Sequence, residues 1–152
     1  MNRVSQLMSR NVVTIDPDAS LYDAVTLMTR DRIRHLPVVD RDGILRGIVT
    51  DRDLRHHLFE PEVFRSIGTV PVARLLSGVS IRQVMSAPVI SVGLDTPVDE
   101  AAEVMRKHKL GSLPVVDRER LAGIVTETDL LRSIMGSNAA CGEIEAIVVS
   151  YP

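Results

Sequence analysis

The apolar positions of this chain follow the same order of segments twice. Each copy begins with a short extended stretch, Val12–Ile15 and Val89–Val92, and continues with apolar residues at helical spacing. Two continuously apolar stretches of strand length come next, and a second helix is expected to begin near Asp51 and Glu127. Continuously apolar strands are typical of a sheet that is covered on both faces. The pattern predicts an α/β (α+β) fold built from tandem duplicated β-α-β-β-α repeats.

The segments of the two copies match in type and in spacing. The apolar positions of the first predicted helices are Leu21, Ala24, Val25 and Met28 in one copy, and Val98, Ala101, Ala102 and Met105 in the other. The predicted strand pairs are Leu36–Val39 with Leu45–Val49, and Leu113–Val116 with Leu121–Val125. Each helix-period segment therefore precedes a predicted β-hairpin.

The residues themselves also repeat. Leu36–Arg41 recurs as Leu113–Arg118, 77 residues later, and Gly47–Thr50 recurs as Gly123–Thr126, 76 residues later. The slip of one residue falls between the two strands of each pair, which predicts a hairpin turn one residue shorter in the second copy. An internal repeat of this kind indicates a duplicated architecture, whatever the individual motifs do.

The duplication predicts four regions. Repeat 1 is expected at residues 4–55, a linker at 56–80, repeat 2 at 81–133 and a tail at 134–152. The linker contains apolar residues between its prolines and glycines, so part of it is expected to be helical and the rest to cross between the copies. The tail contains Cys141, the one cysteine of the chain, in a context without a basic neighbour.

Composition narrows the function classes. The 152 residues are 45% hydrophobic and 25% charged, which is globular composition. A net charge of −2 and an aromatic content of 3% argue against nucleic-acid binding, because such binding normally uses a surplus of basic residues or aromatic side chains that stack on bases. One cysteine and four histidines make neither a disulfide nor a structural zinc set, so no metal is expected. The chain shows no signal peptide and no long apolar run, so we expect a cytoplasmic protein with no membrane contact.

The strongest indication of a ligand site in the sequence is a predicted strand that runs directly into a predicted helix. In Gly47–Asp53 the first-turn amides of the helix have no internal partner and attract anions. Thr50 can offer its hydroxyl to a phosphate, and Arg52 can offer a positive charge. Asp53 can accept hydrogen bonds from the two hydroxyls of a ribose. The segment can therefore contribute to a nucleotide contact, although the motif alone favours the helix cap described next.

The same residues also have a purely structural interpretation. Thr-x-x-Asp at a helix start forms a capping box, and the two roles can coexist. The second copy keeps Thr126 and Asp129 but carries the neutral Thr128 where the first copy has Arg52. Two clefts built on these segments are therefore expected to hold phosphate with different strength.

Taken together, the doubled motifs Leu-Pro-Val-Val-Asp and Gly-Ile-Val-Thr-x-x-Asp-Leu resemble a pair of cystathionine β-synthase (CBS) domains, the unit called a Bateman module. The resemblance covers about residues 4–55 and 81–132. It implies two sheets related by a pseudo-twofold axis, with a cleft on either side. It also implies adenine nucleotides or other adenosyl compounds as ligands, and a homodimer of modules.

The resemblance assigns each cleft to residues of both copies. One cleft would use Thr50, Arg52, Asp53, Val89, Ile90, Leu110, Gly111, Ser112 and Pro114. The other would use Thr126, Thr128, Asp129, Val12, Val13, Ile33, Arg34, His35 and Pro37. Backbone groups of the first extended stretches would read the adenine edge, and Arg34 or His35 would supply the charge that Thr128 lacks. A solvated strand end for Arg34 and a turn for Gly111 are equally good structural interpretations.

The sequence thus favours a stand-alone regulatory module for energy sensing that binds AMP, ADP, ATP or a similar ligand and changes conformation. It requires no cofactor beyond that regulatory adenine nucleotide. The alternative is a structural or interaction module with empty clefts, which dimerises or docks on a target enzyme or transporter. No phosphate-cradling glycine loop or nucleophile motif occurs, so an enzyme is not expected.

Overall fold

The computed structural model describes residues 2–137. The helices are α1 (Val4–Leu7), α2 (Leu21–Asp31), α3 (Asp51–Leu58), α4 (Pro61–Ser66), α5 (Val72–Ser77), α6 (Ile81–Val84), α7 (Val98–His108) and α8 (Glu127–Ser137). The strands are β1 (His35–Val39), β2 (Leu45–Thr50), β3 (Val92–Gly93), β4 (Ser112–Asp117) and β5 (Arg120–Thr126). The predicted tail lies outside the described residues from 138 onward.

Two small sheets carry the duplication. Strands β1 and β2 pair antiparallel, and so do β4 and β5, with Pro37 opposite Ile48 and Pro114 opposite Ile124. The register slips at the same relative place in both hairpins. The first hairpin turns through Gly43 at φ +80°, and the shorter second turn has Arg118 at φ +60°. The expected α+β repeats with one residue lost from the second turn are confirmed.

The first extended stretch of each repeat is shorter than predicted. In repeat 1 only Ile15 joins the sheet, as a parallel bridge to Val38. In repeat 2 the stretch reduces to β3, which pairs parallel with β4. Ser9 and Ser86, which lie shortly before these stretches, instead form β-bridges with strands of the opposite half.

The linker is mostly helical. Helix α3 continues to Leu58, and α4 and α5 follow before repeat 2 begins. Leu76 of α5 is buried among the core side chains of the first half, and α5 contacts α2. The expected mixture of helix and crossing segment is therefore found, and it packs on the first half.

The two halves exchange their first helices. Ile81 of α6, which belongs to repeat 2, is fully buried in the core formed by α2, β1, β2 and α3. Val4 of α1 and the following Met8, which belong to repeat 1, are buried in the core formed by α7, β4 and β5. Each hydrophobic core is therefore completed by the other repeat, and the halves cannot separate without exposing both cores.

Backbone pairing secures this exchange at two equivalent points. Ser86 and Ile48 exchange hydrogen bonds of 2.9 and 3.2 Å, and Ser9 and Ile124 exchange hydrogen bonds of 2.9 and 3.0 Å. A glycine directly precedes the strand residue in each pair: Gly47 precedes Ile48, and Gly123 precedes Ile124. A Cβ at Gly123 would lie 2.6 Å from the Met8 sulfur and 2.8 Å from the Ser9 carbonyl oxygen. Close approach of the backbones therefore requires glycine there.

The close approach predicts that Gly123→Ala destabilises the fold by about 1–3 kcal/mol, because the added methyl group meets a backbone oxygen that is held by a strand. The matched control is Gly93→Ala, where the nearest atom would lie 3.9 Å away. Urea unfolding followed by circular dichroism measures both free energies of unfolding. Equal values for the two variants would contradict the close approach.

Candidate functional site

Two helix starts of identical construction face the junction of the halves. The Thr50 amide and hydroxyl donate to Asp53 Oδ2 at 2.8 and 3.0 Å, and the Asp53 amide donates to the Thr50 hydroxyl oxygen at 3.3 Å. Thr126 and Asp129 repeat this arrangement with distances of 2.8, 2.8 and 3.3 Å. Both Thr-x-x-Asp segments are therefore capping boxes.

The ends of the two hairpins meet beside these helix starts. His35 is opposite Thr50 in the first hairpin, and Ser112 is opposite Thr126 in the second. A Cβ placed on Gly111 would lie 3.2 Å from His35 Nε2, which shows how closely the halves approach. The absence of a side chain at Gly111 leaves room for the imidazole ring.

A cavity of about 650 Å³ opens at this junction. Its volume is within the range of small-molecule sites. Every residue that the sequence assigns to one cleft lines this cavity: Thr50, Arg52, Asp53, Val89, Ile90, Leu110, Gly111, Ser112 and Pro114. The structure thus brings side chains of both repeats to one place, and their ligand contacts stay a prediction.

Part of the residue set predicted for the second cleft also lines the junction cavity. Arg34, His35, Thr126 and Thr128, which were assigned to the second cleft, line the same cavity as the first set. The reason is geometric, because the hairpin ends abut and the space is continuous across the junction. The charge of Arg34 therefore adds to that of Arg52 instead of replacing it at a separate site.

The remaining residues of the second predicted cleft lie outside the junction cavity. Val13 and Ile33 pack against the core of the first half, and the Pro37 side chain is fully buried. Val12 lines a separate cavity of about 240 Å³. Asp129 does not line the junction cavity, so its role in a second cleft stays a prediction.

Several cavity residues escaped the sequence reasoning. They are Ile48, Asp51, Arg55, Ser86, Pro88, Lys109 and Glu127. For Arg55 a signal existed, since it lies three residues after Arg52 on the same helix face. For Ser86 and Lys109 the signal is tertiary, because the exchange of the halves brings them to the cavity.

The His35 imidazole is a partly buried titratable group of this cavity. Burial, as the largest effect, lowers the pKa of His35 below its ordinary value of 6.5. The Asp51 carboxylate acts in the opposite direction, the Arg34 guanidinium lowers the pKa, and the carboxylates of Glu127 and Asp53 raise it. The neutral ring is therefore favoured in the folded protein.

Two other features are absent from residues 2–137. No group of three or more His, Cys, Asp or Glu side chains there is arranged to hold a metal ion. No helix in that part of the chain is long and apolar enough to cross a bilayer.

The fold and its junction define a two-repeat α+β module, and comparison gives the family. The CBS domain matches residues 4–60 and 81–136, so the chain belongs to the CBS-domain family and contains two such domains. A CBS domain-containing protein of Dictyostelium discoideum is 40% identical over 84% of this chain and 88% of its own length.

Solved structures agree with the fold. CBSX2 in complex with AMP is 26% identical, with a TM-score of 0.76 over 91% of this chain and 99% of that one. A CBS domain pair in complex with 5′-methylthioadenosine and S-adenosyl-L-methionine is 30% identical, with a TM-score of 0.71 over 90% and 98% of the two chains. The chain spans 32% of a longer relative from Methanocaldococcus jannaschii and 48% of one matched solved chain.

The depressed His35 pKa predicts a pH effect on stability. Below about pH 6.5 the unfolded chain binds the proton more readily than the folded one, so this stability contribution falls as the pH falls. We expect His35→Gln to reduce the loss in free energy of unfolding between about pH 7.5 and 5.5. The exposed His108→Gln variant is the control, and denaturant unfolding is the measurement. An unchanged loss in His35→Gln would contradict the burial of this ring.

Proposed function

We propose that this chain is a regulatory module that binds an adenosine-containing ligand in the cavity at the junction of its repeats. The observation that carries the proposal is the convergence on one cavity of Asp53 and Arg52 from repeat 1 with Val89 and Leu110 from repeat 2. A carboxylate, a cation and an apolar wall are the groups that a ribose, a phosphate and an adenine ring require.

The Asp53 carboxylate can serve the cap and the ligand together. Its Oδ2 atom accepts both hydrogen bonds from Thr50, while Oδ1 accepts none from residues 2–137. The capping box fixes the orientation of the side chain, so Oδ1 is held in place for the hydroxyls of a ribose. A pre-oriented acceptor costs less side-chain entropy on binding.

The adenine contact is proposed on the opposite wall. Val89 and Ile90 offer backbone groups, while Leu110 and Pro114 offer aliphatic surface. The adenosine compounds bound by the two similar solved domain pairs support this choice of ligand class. The lining residues of this chain supply matching chemistry.

Regulation follows from the position of the cavity. A ligand that touches both repeats favours whichever relative arrangement of the halves it binds more tightly, and it shifts the equilibrium by that difference in affinity. Such a shift could be transmitted to a target enzyme or transporter. The same arrangement needs no catalytic group.

The proposal includes a second copy of the chain as a partner. Leu131, Ile134 and Met135 lie on one face of α8 with 61%, 61% and 73% of their surface exposed. Burial of this face against its copy would remove apolar surface from water. Sedimentation equilibrium should give twice the monomer mass, and a monomer at all concentrations would contradict the dimer. A dimer that binds no adenosine-containing ligand would instead favour the interaction-module alternative.

The ribose assignment predicts that Asp53→Asn weakens binding of AMP, ADP or ATP by about tenfold, because a charged acceptor is replaced by a neutral one. Asp23→Asn is the matched control, since Ser20 and Asp23 form the same capping box outside the cavity. Asp129→Asn should keep the affinity of this cavity, because Asp129 does not line it. Isothermal titration calorimetry measures all three.

Two results would count against this account at different levels. If AMP, ADP, ATP and S-adenosylmethionine all fail to bind the wild-type protein, the ligand-sensing function is wrong. If a nucleotide binds and Asp53→Asn affects it no more than Asp23→Asn, only the ribose contact is wrong.

A further inference from the structure

The cavity contains more positive charge than its carboxylates balance. Four positively charged side chains line it: Arg34, Arg52, Arg55 and Lys109. Arg55 forms an ion pair with Asp51 at 3.5 Å. Among residues 2–137 no carboxylate lies within ion-pair distance of the other three cations. Three cationic groups are therefore available to a ligand.

The same cavity has three carboxylates. Asp51 is paired with Arg55. Asp53 accepts the hydrogen bonds of Thr50, but these neutral donors leave its negative charge in place. Glu127 is the third carboxylate of the lining. Outside the ion pair, three positive charges therefore face two negative charges, and this positive surplus favours an anion.

These cations reach the cavity from both repeats. Arg52 is on the first turn of α3, Arg34 immediately precedes β1, and Lys109 follows α7 of the other repeat. A single phosphate can meet only part of such a set, while a chain of phosphates can contact cations on both sides of the junction. The positive surplus also disfavours a sulfonium ligand, which carries a positive charge of its own.

We infer that the ligand of this cavity is an adenosine polyphosphate, the di- or triphosphate, in preference to the monophosphate or an adenosyl sulfonium compound. This inference rests on the proposed function and specifies the ligand class. The counterparts of Arg52 and Arg34 in repeat 2 are Thr128 and Gly111, so the cationic groups are a property of this cavity and not of the duplicated motif.

The test compares ATP, ADP, AMP, S-adenosylmethionine, adenosine and tripolyphosphate by calorimetry in buffer with a chelator and fixed salt. We expect ATP to bind at least about tenfold more tightly than AMP. Added salt should weaken the binding of ATP more than the binding of adenosine. Arg52→Thr introduces the residue found at the equivalent position of repeat 2. It should weaken the affinity for ATP by about tenfold and the affinity for AMP by less. Arg41→Thr is the matched control, because Arg41 is exposed in a turn outside the cavity.

The outcomes separate this inference from the proposed function. AMP or S-adenosylmethionine binding as tightly as ATP, or an Arg52→Thr effect equal to that of Arg41→Thr, would overturn the inference and leave adenosine binding intact. Tripolyphosphate binding without any adenosine compound would instead contradict the proposed function. Lys109→Thr repeats the test on a second cation, and circular dichroism checks that each variant is folded.

Discussion

The structure depends on a reciprocal exchange in which each repeat begins inside the other half. Val4 and Ile81 are buried in the core of the opposite half, and the segments that follow them pair with its second strand. Gly47 and Gly123 allow that pairing, because a side chain at either position would meet a backbone carbonyl oxygen. The two CBS domains are therefore one folding unit, although the duplication in the sequence suggests two.

The exchange also creates the site. It brings residues after Ser86 against the start of α3, so that a carboxylate and cations from repeat 1 face an apolar wall from repeat 2. A ligand bound there contacts both halves at once, which is the requirement for coupling its binding to their arrangement. The capping boxes contribute by fixing Thr50 and Asp53 at the edge of the cavity. Stability and the proposed sensing use the same local structure.

Local patterns predicted much of this from the sequence. The hairpins, both capping boxes and the residues of one cleft follow from apolar runs, the Thr-x-x-Asp spacing and the family resemblance. The meeting of Arg34 and His35 with that same cleft could not be predicted, because it depends on how closely the hairpin ends approach across Gly111. The exchange of α1 and α6 is likewise a tertiary property, since the sequence of a short apolar helix does not indicate which core it joins.

The most direct test of the central claim is a crystal structure of the protein grown with ATP. The account predicts one nucleotide in the junction cavity, with its ribose hydroxyls at hydrogen-bond distance from Asp53 Oδ1, its adenine beside Val89 and Ile90, and its phosphates among Arg34, Arg52 and Lys109. A nucleotide bound away from this cavity, or one that contacts residues of a single repeat only, would contradict the account.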